Sequence, residues 1–296
     1  MEHSGKIVFP MRNSEALGKS VAEKLGAEEG LIESKRFPDG EFYLRFRTGV
    51  KGKEIVLVQS LYPEPNEAII ELVFAAKTAK ELGAKKVTGI VPYLAYMRQD
   101  GRFNEGECVS NRLMAWLLNS SLDSIMTVDP HLHRVRHLAE LFHIERKRLS
   151  ANNDIARFIK KNFSRKDSVI VGPDIESSQW AKKIADSMGF ESAIFLKKRF
   201  SSRKVKIHVT KELEWRKKNV VIVDDIVSSG HTMIEAVKEI RKRKPKSVHC
   251  ICVHAIFAEN AFEKLKKAGA KTISSCNTIE HKSNRIDLSG MIAKEI

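Results

Sequence analysis

Short, continuous runs of apolar and β-branched residues recur along the chain: KIVFP, EIVLVQS, KVTGIVPY and SIMTVD, then SVIVGPD, SAIFLKK, KVKIHVT, NVVIVDD, SVHCICVHAIF and KTISSC. Most are unbroken rather than alternating, the pattern of strands covered on both faces. Between them lie segments with apolar positions three and four apart, among them NEAIIELVFAAKTAKELGA, NRLMAWLLNS, DIARFIKKNF, QWAKKIADSMG and TMIEAVKEIRKRK, with Gly83 and Gly189 as helix stops. Strand–helix–strand alternation of this kind predicts parallel sheets with crossover helices, an α/β architecture. Two such sets follow one another, and the polar stretch ERKRLSANND near residues 145–152 is the expected seam. That predicts domains at 1–147 and 148–296, in keeping with the way cores stop growing beyond about 250 residues.

Composition narrows the class. Apolar residues make up 42% of the 296 and charged residues 30%, a globular balance. No apolar run is long enough to span a bilayer, and MEHSGKIVFP lacks a secretory pattern, so the expectation is a cytoplasmic protein with no membrane partner. Cys108, Cys250, Cys252 and Cys276 fall at no metal-ligand spacing and read as reduced thiols. A formal charge of +15 attracts anions without choosing among them. The basic run Arg241–Lys246 reads as a solvated helix end, and no aromatic-rich RNA-binding segment accompanies it, so no nucleic-acid partner is expected.

The chemistry concentrates in VVIVDDIVSSGHT, residues 220–232. A buried strand ends in Asp224 and Asp225, where ligands of open α/β sheets bind. Ser228, Ser229, Gly230, His231 and Thr232 then form a small-residue turn before a helix, able to aim backbone N–H groups and hydroxyls at an anion. Neither a Walker loop nor a dinucleotide fingerprint is present. Two acids beside a phosphate cradle suit a sugar phosphate, its vicinal hydroxyls donating to the carboxylates; a strand-end acid pair that caps a turn is the alternative.

This segment resembles the phosphoribosyl pyrophosphate-binding motif of type I phosphoribosyltransferases and ribose-phosphate pyrophosphokinases. Further segments resemble the pyrophosphokinase family in particular, across nearly the whole chain. RFPDGEFYLRF, residues 36–46, is similar to its N-terminal ATP-contacting hairpin, which implies that Phe37, Asp39 and Glu41 approach the adenine and ribose of a nucleotide on a neighbouring subunit; read alone it is a β-turn at Pro38-Asp39-Gly40 between strands. VPYLAYMRQDGRFNEGE, residues 91–107, resembles the segment after the third strand, implying Arg98 and Gln99 as ATP ligands, with Arg102, Tyr93 and Tyr96 nearby. TVDPHLHR resembles the magnesium site and implies His131, with Asp129 assisting; a zinc cluster of His131, His133 and His137 is the alternative there. VGPD implies a second magnesium ligand at Asp174, and FLKKRF implies catalytic Lys197 and Arg199.

The resemblance therefore implies two type I phosphoribosyltransferase-like domains, each a mainly parallel sheet flanked by helices, the first carrying ATP-binding segments and the second a ribose 5-phosphate site. It implies a Mg2+-dependent ribose-phosphate diphosphokinase that transfers the β,γ-diphosphoryl group of ATP to ribose 5-phosphate, in homo-oligomers built from dimers. A regulatory paralogue and a phosphoribosyltransferase are the alternatives. The pattern is departed from at Glu176, Leu196 and His231.

Overall fold

In a computed structural model the described residues are 5–132, 134–201, 204–209 and 214–296, with the backbone alone at 175, 176, 178, 179, 194–201 and 204–209. The chain divides into two compact units, Met1–Ser150 with Thr278–Glu280 and Leu288–Ile296, and Ala151–Asn277 with His281–Asp287.

The first unit contains β1 (Lys6–Pro10), α1 (Glu15–Leu25), β2 (Glu28–Glu29), β3 (Ile32–Arg36), β4 (Phe42–Phe46), β5 (Glu54–Val58), α2 (Pro65–Glu81), β6 (Lys86–Val91), α3 (Ser110–Asn119), β7 (Ser124–Val128) and β8 (Glu145–Leu149). Six strands form a parallel sheet in the order β2-β1-β5-β6-β7-β8, while β3 and β4 pair antiparallel as a separate hairpin. Every residue of β7 is buried, which is why its sequence reads as a continuous apolar run. Phe9, Leu57, Leu72, Val91, Leu118 and Phe142 meet in the core, and burying each such side chain stabilises the fold by about 1.5–3 kcal/mol.

The second unit contains α4 (Asn152–Asn162), β9 (Ser168–Gly172), α5 (Ile175–Met188), β10 (Glu191–Ser201), β11 (Lys204–Val209), β12 (Asn219–Val227), α6 (His231–Lys242), β13 (Ser247–Ala255), α7 (Ala261–Ala268), β14 (Thr272–Cys276) and β15 (Asn284–Ile286). Its seven strands run in the order β11-β10-β9-β12-β13-β14-β15, parallel except for β11. The short step from Ser201 to Lys204 leaves no length for a crossover helix, so β11 pairs antiparallel with β10. Gly189 ends α5 at φ 66° and Gly83 follows α2 at φ 87°, the left-handed conformations a helix stop uses.

Two features differ from the single cut expected at 147/148. Residues 145–149 of the polar seam are a strand, β8, at the sheet edge with four of its five residues exposed; a strand with one neighbour needs no apolar alternation. The chain also returns: α8 (Ser289–Ala293) packs on α1, with Lys24 Nζ donating to Ser289 Oγ at 2.6 Å and Lys6 Nζ to the Ile296 carbonyl at 2.7 Å. Among the described residues no helix is long and apolar enough to cross a membrane.

Candidate active site

The strand order of the second unit reverses between β9 and β12: the chain leaves β9 for β10 on one side and returns to β12 on the other. A crevice forms beyond strand ends at such a reversal. The register aligns Val171 of β9 with Ile222 of β12, the last pair between them, so Asp174 just past β9 and the pair Asp224–Asp225 just past that pairing follow from adjacent strands. Strand β12 does not end at the acids as expected but runs on to Val227, because it stays paired with β13. Asp174 is the N-cap of α5, its Oδ1 accepting the Ser177 N–H at 2.9 Å. Asp224 is 8% exposed, and the Asp225 N–H donates to its Oδ1 at 3.1 Å. Burial first, then the charges of Asp225 and Asp174, hold the Asp224 carboxyl well above the usual carboxylate range. Negative charge is thus concentrated where a cation or hydroxyl donors would relieve it.

Beyond β12 the chain turns through Ser228 and Ser229 to Gly230, the left-handed N-cap of α6 at φ 73°. His231 opens the helix and is exposed, and Thr232 follows half-buried. The first N–H groups of a helix lack intrahelical acceptors and carry its positive dipole end, so this turn is an anion seat. Val227 and Phe257 support it from below, the Phe257 N–H donating to the Val227 carbonyl at 2.9 Å.

Strand β10 pairs with β9 only through Ile194 and then continues to Ser201 against β11. Lys197 and Arg199 lie on this extension, opposite Ile207 and Val205, beyond the carboxyl end of β9. Their side chains, like those of Glu176 and Leu196, fall outside the described ones.

In the first unit, Phe37, Asp39 and Glu41 occupy the turn joining β3 to β4. The Phe37 N–H donates to the Glu41 carbonyl at 2.8 Å, the Glu41 N–H donates to Asp39 Oδ1 at 3.1 Å, and Phe37 is 46% exposed. Arg98, exposed, and Gln99 follow β6, and the Gln99 carbonyl accepts the Asn111 N–H at the start of α3. His131 follows β7 after Asp129, which sits at φ 34° and is 5% exposed; a left-handed non-glycine residue at a strand end is a strained conformation common at functional sites. His133 of the zinc alternative lies outside the described residues, and His137 caps a short 3-10 turn at Leu138–Glu140.

The loops bearing Arg98–Gln99 and His131 are tied together by residues that sequence reasoning did not single out. The Arg134 N–H donates to Asp100 Oδ2 at 2.8 Å, and the Arg134 guanidinium lies 4.7 Å from the Phe103 ring centroid. Asp100 directly follows Gln99, the one signal that could have pointed to it.

The first unit reverses its strand order between β1 and β5, but its mouth is filled by the chain itself. Ser60 Oγ donates to the Thr278 carbonyl, the Ser60 N–H donates to Ser14 Oγ at 2.8 Å, and all three residues are buried.

Two mainly parallel sheets, one with acids and an anion seat at its reversal, define a protein built on phosphoribosyltransferase-type α/β domains. The profile described as the N-terminal domain of ribose phosphate pyrophosphokinase matches residues 6–121, and that of the phosphoribosyl transferase domain matches residues 140–289. The chain is 33% identical to a ribose-phosphate pyrophosphokinase of Methanopyrus kandleri over 98% of each chain. It is 37% identical to ribose-phosphate pyrophosphokinase 2 of Archaeoglobus fulgidus over 98% of this chain and 99% of that one. A crystal structure of phosphoribosylpyrophosphate synthetase from Mycobacterium smegmatis superposes with a TM-score of 0.85 at 25% identity, covering 98% of this chain and 97% of that one. The chain belongs to the ribose-phosphate pyrophosphokinase family, and it is an enzyme, a transferase with that activity.

Proposed function

We propose that the chain transfers the β,γ-diphosphoryl group of MgATP to the anomeric hydroxyl of ribose 5-phosphate, releasing AMP and phosphoribosyl pyrophosphate. The observation that carries this reading is the junction of Asp174, Asp224 and Asp225 with the anion seat at 228–232 across one strand reversal. A phosphorylated pentose matches both halves: its 5-phosphate accepts from the N–H groups and hydroxyls of the turn, and its ring hydroxyls donate to Asp224 and Asp225.

On this reading the first unit supplies the nucleotide: Phe37, Asp39 and Glu41 from the hairpin, and Arg98 and Gln99 from the loop after β6. Phe37 offers an exposed ring for a base, and Arg98 an exposed guanidinium for phosphate oxygens. Lys197 and Arg199 neutralise charge on the diphosphoryl group as it moves, the main task of a protein in such transfer.

The donor set fits magnesium. Each unit offers a candidate ligand, His131 with Asp129 beside it in the first and Asp174 in the second, and Asp174 contributes the hard oxygen such an ion prefers. Among the described residues no group of three or more His, Cys, Asp or Glu is arranged to enclose a metal; magnesium is usually bound through one or two carboxylates plus phosphates and water. When bound, the ion would offset charge on the ATP phosphates. Asp174 meanwhile keeps one carboxylate oxygen on the Ser177 N–H, which fixes its direction.

We assign the protein to homo-oligomers built from dimers, as the family resemblance implies, and to the cytoplasm, as the sequence pattern led us to expect. The deciding assay incubates the pure protein with MgATP and ribose 5-phosphate. AMP is expected only when both are present; no AMP release, with activity appearing only when phosphoribosyl pyrophosphate and a nucleobase are supplied, or no activity at all, would overturn the reading.

A further inference from the structure

The hairpin β3–β4 is not part of the main sheet of its unit, so something other than a shared ladder must set its direction. Apolar packing supplies part of this: Ile32, Leu44 and Phe46 pack on the core, and Phe46 meets Phe9 edge-on at 5.0 Å between centroids. Such contacts are non-directional and allow sliding.

The polar contacts are more specific. Helix α2 carries Glu67 and Glu71 four residues apart on one face, and β3 carries Ser34 and Arg36 two residues apart on one face. Ser34 Oγ donates to Glu71 Oε1 at 2.8 Å, and the Arg36 guanidinium pairs with Glu67 Oε2. Four helix residues advance by about 6 Å, just over one turn, and two strand residues advance by about 6.6 Å. The two spacings match, so both contacts form in one register; sliding the strand by two residues would break them together.

Glu71 is 1% exposed, and no step of the proposed reaction uses it. It also accepts from Gln59 Nε2 at 3.2 Å and faces Arg12 Nε at 3.5 Å. Arg12 reaches Glu64 Oε2 at 3.2 Å and Glu67 Oε2 at 3.5 Å. The acid row of α2 is thereby held from behind by the loop after β1 while its front holds β3. Burying a carboxylate costs stability unless donors surround it, and here the donors come from β3, from the end of β5 and from Arg12.

We propose that Glu67 and Glu71 are positioning residues for nucleotide binding: with Ser34 and Arg36 they lock the register of β3 on α2 and so fix where the turn at 37–41 presents Phe37, Asp39 and Glu41. This rests on the reading that the turn contacts ATP. Arg36 directly precedes Phe37, so the lock sits at the base of the turn.

The test is steady-state kinetics on the purified enzyme for Ser34→Ala, Glu67→Gln, Glu71→Gln and Arg36→Ala, the double variants Ser34→Ala/Glu71→Gln and Arg36→Ala/Glu67→Gln, and Phe37→Ala as a control on the turn. Each single variant is expected to raise the KM for ATP about fivefold, the scale of one lost hydrogen bond, with kcat within about twofold and the KM for ribose 5-phosphate unchanged. Each double variant is expected to be no worse than its worse single, the sign of a shared interaction. Ser34→Ala removes one hydroxyl from a half-buried site and keeps the test independent of any folding defect in Glu71→Gln. If Phe37→Ala raises the ATP KM while Ser34→Ala and Arg36→Ala leave it unchanged, or if the paired effects add, the register lock is refuted and the turn's role stands. If Phe37→Ala itself leaves the ATP KM unchanged, the turn does not contact the nucleotide and the proposal falls with that reading.

Discussion

A β-carbon added to Gly230 would lie 3.0 Å from the β-carbon of Ala261, the first residue of α7. Ala261 is fully buried, so it cannot step aside. The anion seat at 228–232 therefore rests on the start of α7, and only glycine fits both that contact and the left-handed φ of 73° at this position.

Gly230→Ala combines a strained backbone, worth about 1–2 kcal/mol, with a contact that shifts the turn. We expect ribose 5-phosphate to bind at least about tenfold more weakly, while the KM for ATP is unchanged. Calorimetry with the sugar phosphate alone checks this, and normal affinity would remove the turn from the site.

Asp224 supplies a pH test. Its carboxyl titrates higher in the folded protein than the value near 3.9 of an unfolded chain. The folded state therefore holds the proton over a window in which the unfolded chain has lost it, and stability falls as pH rises through that window. In the absence of ligands, Asp224→Asn is expected to raise Tm at pH 8, with the gain shrinking toward pH 4, and to weaken ribose 5-phosphate binding by about tenfold or more. A Tm that does not change at pH 8 would show that the carboxylate carries no cost.

Lys197 tests the catalytic assignment. Losing a charge-stabilising donor costs about 2.7–4 kcal/mol, two to three decades in rate. Lys197→Ala should lose turnover on that scale and still bind ATP, measured by kcat alongside nucleotide calorimetry; near-normal turnover would refute the role.

His249, 7% exposed on β13, sits between Ser247 Oγ and Thr272 Oγ1, each 2.7 Å from a ring nitrogen. Burial, then the charge of Lys271, lowers its pKa from 6.5 to about 4. The unfolded chain takes the proton first, so this contribution is complete above pH 6.5 and declines toward pH 4, by about 1.4 kcal/mol per pH unit. In chemical unfolding between pH 7 and 4, the stability of the wild type relative to His249→Asn should fall on about that slope as pH drops; parallel curves would count against it.

The apolar runs named every long parallel strand because strands buried on both faces must be apolar throughout. Among the elements that escaped are β2 and β15, too short to leave a pattern; α1, whose buried residues Leu17, Gly18, Val21 and Ala22 include two small ones; and β8, whose exposed ERKRL has the composition of a linker. The acid pair and the turn were legible because they sit next to each other in the chain. Glu71 and Arg134 were not, since a buried acid on a helix and one arginine among many show their meaning only through partners 37 and 34 residues away.

The sequence by itself determined the two α/β units, the acid pair 224–225 and the glycine-bearing turn, because periodicity and local backbone needs are written residue by residue. Only the tertiary structure decided that Asp174 shares a strand reversal with Asp224, that Thr278 returns to meet Ser60 in the first unit, and that β3 is registered on α2. Those outcomes depend on strand order and on contacts distant in sequence, and neither the period of the apolar positions nor the chemistry of adjacent residues encodes which distant segments meet.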